Sequence, residues 1–173
     1  WFWLVDPIDG TKEFLNKSND YTVNVALCFN KNPIFSVVYA PGRNELFYAE
    51  KGMGAHKNEA QINIKQVIEK KINIVASKSH LNKETEDFIS ELSKKYNINI
   101  LQYGSSLKIC KVAEGKADIY PRFGPTMEWD TCAAQLILEE AGGFMLSNKN
   151  EKLIYNKEDL LNPSFIAAND KIF

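Results

Sequence analysis

Two stretches of this 173-residue chain place carboxylates where they could do chemistry. The first is Asp6-Pro7-Ile8-Asp9-Gly10-Thr11. Two acids stand three residues apart at the end of an apolar run, and Pro7 and Gly10 favour a turn between them. In such a turn both side chains and the Ile8 carbonyl can face one point. A cluster offering only oxygen suits Mg²⁺, a hard cation that takes few protein ligands and keeps waters. The N–H groups of Gly10 and Thr11, where a helical turn opens, would face a phosphate oxygen. The second stretch is Trp129-Asp130-Thr131, at the head of a strongly helical segment closed by Gly142-Gly143. Taken singly, each has a plainer reading: an Asx-type turn for the first, and for Asp130 the N-cap of its helix.

The elements that must position these acids fall into two styles. Phe2 to Val5 is a short apolar strand that runs into the Asp6-Pro7 turn. Thr22 to Phe29, Ile34 to Ala40 and Glu45 to Ala49 read as strands, parted by turns at Asn30–Pro33, Pro41-Gly42 and Lys51–Gly54, with further short strands near Ala55 and Ile62. Strands at this spacing predict an antiparallel meander. Beyond about residue 70 strand and helix alternate. Strands are expected at Ile72–Ala76, Ile98–Tyr103, Ala117–Pro121 and Phe165–Ala168. Helices are expected at Asn82–Tyr96, Ser106–Glu114 and Asp130–Ala141. The fold class is therefore α/β, a layered α+β sandwich, with residues 1–70 as one subdomain and 71–173 as a second that completes the site.

Composition narrows the function. About 45% of residues are hydrophobic, 25% are charged, and the net charge is −1. This is ordinary globular composition, without the basic face that a nucleic-acid polymer requires. Cys28, Cys110 and Cys132 are odd in number and lack CxxC spacing, which argues against a disulfide framework or a zinc site. They suit a reducing cytoplasm. The longest apolar run, Tyr21 to Phe29, is far short of the roughly 18 residues of a membrane helix. No membrane-spanning segment is expected, and a peripheral seat on the cytoplasmic membrane face stays open, as does the oligomeric state. Trp1-Phe2-Trp3-Leu4-Val5 reads as the middle of a strand, with neither an initiator Met nor a signal-peptide pattern. The expectation is a fragment whose N-terminal portion is missing.

Together the two acidic stretches resemble the inositol monophosphatase superfamily of magnesium-dependent, lithium-sensitive phosphatases. That family carries D-P-[IL]-D-[GS]-T and, far downstream, W-D-x11-G-G, which Asp6–Thr11, Trp129-Asp130 and Gly142-Gly143 match. Five further stretches resemble the CysQ-type 3'(2'),5'-bisphosphate nucleotidases. They are Lys12-Glu13-Phe14, Ser77-Lys78-Ser79-His80, Gly104-Ser105-Ser106-Leu107-Lys108, Val112-Ala113-Glu114-Gly115 and Tyr120-Pro121-Arg122-Phe123-Gly124-Pro125-Thr126.

The resemblance implies an inositol monophosphatase-like fold lacking its N-terminal helices. It implies hydrolysis of 3'-phosphoadenosine 5'-phosphate to AMP and phosphate, clearing a by-product of sulfate assimilation, with two or three Mg²⁺ ions and inhibition by Li⁺. One metal would be held by Asp6, the Ile8 carbonyl and a Glu expected before residue 1; another by Asp6, Asp9 and Asp130. Thr11 would orient the attacking water with an acid that is also expected before residue 1. Gly10 and Thr11 would contact the scissile phosphate. Ser77 and His80 would touch the nucleoside. Gly104, Ser105 and Lys108 would surround the second phosphate, with Arg122 as a bidentate phosphate ligand. Lys12 and Glu13 read as surface charges, and Trp3 and Trp129 as core packing. The nearest rival is an inositol monophosphatase. From another class, the chain could be a catalytically incomplete metal- and nucleotide-binding remnant, and the 173 residues alone are expected to turn over slowly or not at all.

Overall fold

The computed structural model describes residues 1–64, 70–76 and 82–169. Six strands form the first sheet in chain order: β1 (Phe2–Asp9), β2 (Thr22–Phe29), β3 (Asn32–Ala40), β4 (Glu45–Glu50), β5 (Ala55–Lys57) and β6 (Ala60–Ile62). Every pairing is antiparallel. A five-residue helix, α1 (Thr11–Leu15), interrupts the run between β1 and β2. The second sheet contains β7 (Lys71–Ala76), β8 (Asn97–Gln102), β9 (Ile119–Arg122), β10 (Gly143–Ser147) and β11 (Phe165–Asn169), in the order β10-β11-β9-β7-β8. In it β7 lies parallel to β8 and β9, while β11 lies antiparallel to β9 and β10. Among the described residues three further α-helices complete the fold: α2 (Lys83–Ser93), α3 (Leu107–Ala113) and α4 (Glu128–Glu140). The α/β class expected from the sequence is the one observed.

β1 does not stop at Val5; it runs through Pro7 to Asp9. Pro7 is tolerated because β1 is an edge strand, where the missing N–H breaks no ladder on the open side. Its path is irregular. Asp6 pairs with Asn24, and Asp9 pairs with Thr22. Three residues of advance on β1 are thus matched by two on β2, which is a bulge. In a regular strand, residues three apart face opposite sides of the sheet. The extra residue returns Asp6 and Asp9 to the same face, the face of Thr22 and Asn24.

Other elements depart from expectation in small ways. Asn30 and Lys31 (φ 47° and 66°) form a two-residue hairpin turn, so Pro33 lies inside β3 rather than in the turn. β10, which the sequence reading left out, follows Gly142 directly. Trp3 does not pack in the core; it is 58% exposed on β1, while Phe2 and Leu4 turn inward.

The main buried cluster draws on both halves of the chain. It joins Ala26, Val38, Phe47 and Ala49 of the first sheet to Leu107, Val112, Leu136, Ile137 and Phe165. α4 lies across β1 to β5 and also touches α3 and β10. Its residues 131–138 are buried without a break, as for a helix covered on several sides. A smaller cluster centred on Ile72, Ile74 and Ile119 sits under α2, whose Asn82 caps the first turn by accepting from Thr85 N–H at 3.0 Å.

Candidate metal and phosphate site

The β1 bulge and the first turn of α4 bring three carboxylates together. Asp6, Asp9 and Asp130 each offer an oxygen, and these three oxygens lie within 4.8 Å of one another. Each acid is tied down by one oxygen. Asp6 Oδ1 accepts from Ile8 N–H at 3.1 Å. Asp9 Oδ2 accepts from Ser106 N–H at 2.7 Å, Asn24 Nδ2 at 3.3 Å and Thr22 Oγ1 at 3.4 Å. Asp130 Oδ2 accepts from Met127 N–H at 2.7 Å. Among the described residues no hydrogen bond reaches the second oxygen of any of the three.

Asp130 is therefore not the N-cap. Met127 occupies that position, and Asp130 is the third helical residue, reaching back to the cap's N–H. This is the acidic half of a capping box, and it uses only one carboxylate oxygen.

Electrostatics bear on what the cluster can hold. Burial, then the neighbouring Asp9, raises Asp6 above the usual carboxylate range. Burial also raises Asp9, against the opposing pull of Lys108 and its three donors. Asp130 is pushed up to about 6, first by burial and then by the charges of Asp9 and Asp6, against the Met127 N–H. Three converging acids that disfavour their own ionisation, each with an oxygen to spare, suit a divalent cation with oxygen ligands.

Two of the acids, Asp9 and Asp130, line a cavity of about 180 Å³. Lys108, Arg122, Tyr120 and Phe165 line the same cavity. Lys108 is 7% exposed, and its ammonium lies 5.5 Å from the centre of the Tyr120 ring. Burial lowers it to about 8, with Asp9 pulling it up and Arg122 pushing it down. Arg122 Nη2 donates to the Pro125 carbonyl at 2.9 Å, while its buried Nε has no partner among the described residues. An unsatisfied buried guanidinium donor beside a buried ammonium favours an anionic ligand.

The remaining expected residues divide. Gly10 and Ser105 line the same cavity. Gly10 is left-handed (φ 85°), and a Cβ there would stand 3.3 Å from Ser105 Cβ. Asp6, Ile8 and Thr11 lie outside the cavity wall; Thr11 is the exposed first residue of α1. Gly104 lines a neighbouring cavity of about 190 Å³ with Glu13, Asp20 and Tyr103. A Cβ on Gly104 would come within 2.8 Å of the Asp20 carbonyl and of Glu13 Cγ. Ser77 and His80 lie outside the described residues.

Several site residues escaped the sequence reading. Lys12 and Glu13, read as surface charges, are also among the residues that line the cavity, Lys12 while remaining exposed. Thr22, Asn24 and Ser106 hold Asp9. A signal for the strand pair exists: Thr22 and Asn24 are polar at the inward positions of an otherwise apolar strand, where polar groups must find partners.

Comparison with known proteins agrees with this geometry. Residues 1–172 match the inositol monophosphatase family. The chain belongs to that family. Among curated relatives, the 3'(2'),5'-bisphosphate nucleotidase CysQ of Escherichia coli K12 is 41% identical over 168 residues, covering 95% of this chain and 66% of that protein. The CysQ of Buchnera aphidicola is 38% identical over 177 residues, covering 96% of this chain and 64% of its own length. The chain thus spans just under two thirds of the length of these relatives. Among solved structures, CysQ from Bacteroides thetaiotaomicron superposes with a TM-score of 0.90 at 44% identity, covering 97% of this chain and 69% of that one. An IMPase from Thermotoga maritima gives 0.83 at 27% identity, covering 98% and 64%. The inositol monophosphatase family is metal-dependent, and this chain carries an acidic cluster. Among the described residues no helix is long and apolar enough to cross a membrane.

Proposed function

We propose that these residues form the core of a magnesium-dependent 3'(2'),5'-bisphosphate nucleotidase that hydrolyses 3'-phosphoadenosine 5'-phosphate to AMP and phosphate. The observation that carries the reading is one cavity lined by charges of both signs, Asp9 and Asp130 together with Lys108 and Arg122. A substrate with a single phosphate on a neutral ring requires only the metal side. A nucleotide with two phosphates requires a second cationic patch as well. The relatives at 41% and 38% identity bear the name of this activity.

Asp6, Asp9 and Asp130 would hold Mg²⁺, with the Ile8 carbonyl as a further oxygen ligand. When bound, the metal supplies charge neutralisation for phosphate-ester hydrolysis, among the slowest of uncatalysed reactions, and a more acidic water. The protein's own share is binding and orientation. Lys108, still cationic at neutral pH, and the free Nε of Arg122 would grip the second phosphate. Gly10 and Ser105 would border the reacting phosphate. Thr11, the residue after Gly10, would orient the attacking water. Ser77 and His80 would contact the nucleoside. Two or three Mg²⁺ ions, Li⁺ inhibition and a place in clearing the by-product of sulfate assimilation extend the same reading. The three free thiols fit a reducing cytoplasm.

Parallel assays in magnesium buffer test it. Phosphate should leave 3'-phosphoadenosine 5'-phosphate faster than it leaves inositol 1-phosphate. Faster release from the inositol ester would contradict the reading and favour an inositol monophosphatase.

A further inference from the structure

The two halves of the acidic cluster touch through one buried amide. Asn24 lies on β2 between Val23 and Val25 and is 1% exposed. Both ends of its side chain are engaged. Nδ2 donates to Asp9 Oδ2 at 3.3 Å and to the Trp129 carbonyl at 3.5 Å. Oδ1 accepts from the Ser106 hydroxyl at 2.7 Å. With its proton committed to Asn24, the Ser106 oxygen is left to accept from the Thr22 hydroxyl at 2.8 Å, whose single proton can turn to Asp9 Oδ2 at 3.4 Å only by leaving Ser106. Thr22 and Ser106 are as buried as Asn24. The polarity of the set is therefore one-way, from Thr22 through Ser106 and Asn24 to Asp9 Oδ2, where the Ser106 N–H also donates, and among the described residues no donor reaches Oδ1. Trp129, whose carbonyl takes the other amide proton, is the residue before Asp130.

We infer that Asn24 is a positioning residue that fixes the Asp9 carboxylate and couples it, through the Trp129 carbonyl, to Asp130, so that the cation-binding oxygens are set before a cation arrives. This rests on the assignment of the acidic cluster to magnesium. The residue type follows from the task. An amide supplies two donors and one acceptor in a plane, and all three are used here. Aspartate would exchange the donors for acceptors and set another negative charge beside Asp9. Leucine would keep the volume and remove every hydrogen bond. Partners that orient metal ligands typically change metal affinity by about 10- to 100-fold when removed.

Calorimetric Mg²⁺ titration of wild type, Asn24→Leu and Ser106→Ala, with melting temperatures in EDTA alongside, tests the inference. Asn24→Leu should bind Mg²⁺ at least about tenfold more weakly. Ser106→Ala keeps the backbone N–H on Asp9 but frees the Asn24 amide to rotate, and should fall between that variant and wild type. A purely structural role would lower the metal-free melting temperature and leave the Mg²⁺ dissociation constant where it was. Constants within about twofold of wild type in the folded variants would overturn the inference; should Asn24→Leu not fold, Ser106→Ala decides by the same threshold. Wild type that takes up no Mg²⁺ would overturn the magnesium assignment itself and the inference with it, an outcome distinct from equal binding by all three proteins.

Discussion

Asp130 uses its two oxygens differently. One holds the Met127 N–H and so starts α4; the other is left for the cluster. An asparagine could keep the first task, since its carbonyl oxygen also accepts from an N–H, while losing the charge. Asp130→Asn should therefore leave the EDTA melting temperature unchanged or raised, because mutual repulsion is relieved, and should weaken Mg²⁺ binding at least about tenfold. The pH dependence has a definite sign. The folded-state pKa of Asp130, about 6, lies above the ordinary 3.8. Its contribution to metal-free stability is thus fully present below pH 4 and lost as pH rises through about 6. Protons and Mg²⁺ compete for the same oxygens, so Mg²⁺ affinity should fall as pH drops through 6, with protons released on binding. A flat Mg²⁺ affinity between pH 7 and pH 5 would contradict this. At this scale the sequence was a partial guide. The grouping of Asp6, Asp9 and Asp130 was legible only through the family resemblance of the two stretches together, because each alone also reads as a turn or a helix cap. That Lys12 and Glu13 line the cavity was not legible, because α1 is too short and too polar for its sequence to show what it lies beside.

Elements place the acids by two devices, one readable in advance and one not. The helix start at Asp130 was legible to within three residues, since an acid ahead of an apolar helical run marks a first turn. The β1 bulge was not, because a D-P-x-D-G segment reads as a turn until the edge position of β1 makes Pro7 harmless. α3, which carries Ser106 at its start, is held at its far end by a closed ring of charges. Lys57 Nζ meets Glu45 at 2.6 Å and Glu114 at 2.8 Å, and Lys111 Nζ meets the same two acids at 2.7 and 2.6 Å. Lys111 is 1% and Glu114 6% exposed, so this pair is shielded from water, while Lys57 and Glu45 stay partly open at 19% and 15%. Removing one member leaves buried charge uncompensated. Lys111→Met should cost about 3–5 kcal/mol in a denaturant melt, a loss typical of a broken buried pair. A loss below about 1 kcal/mol, the scale of an exposed pair, would show that the ring contributes little.

Across the whole molecule, the two sheets meet on a shared buried cluster, and the acids lie along that junction. Asp6 and Asp9 come from an edge strand of the first sheet, while Asp130 and Ser106 come from the helices packed between the sheets. The change from hairpin-spaced strands to alternating strand and helix near residue 70 was readable from periodicity alone. The burial of α3 and α4 against both sheets was not, because a helix apolar on several faces does not name its neighbours. β10 escaped notice because it leaves Gly142 with no loop to announce it. The central claim is that this junction is a divalent-cation site facing a phosphate cavity. Anomalous diffraction from crystals grown with Mn²⁺ in place of Mg²⁺ tests it most directly. A strong peak ringed by the free oxygens of Asp6, Asp9 and Asp130 is the result expected. Saturating Mn²⁺ with no peak there, or a peak held by other side chains, would contradict the account.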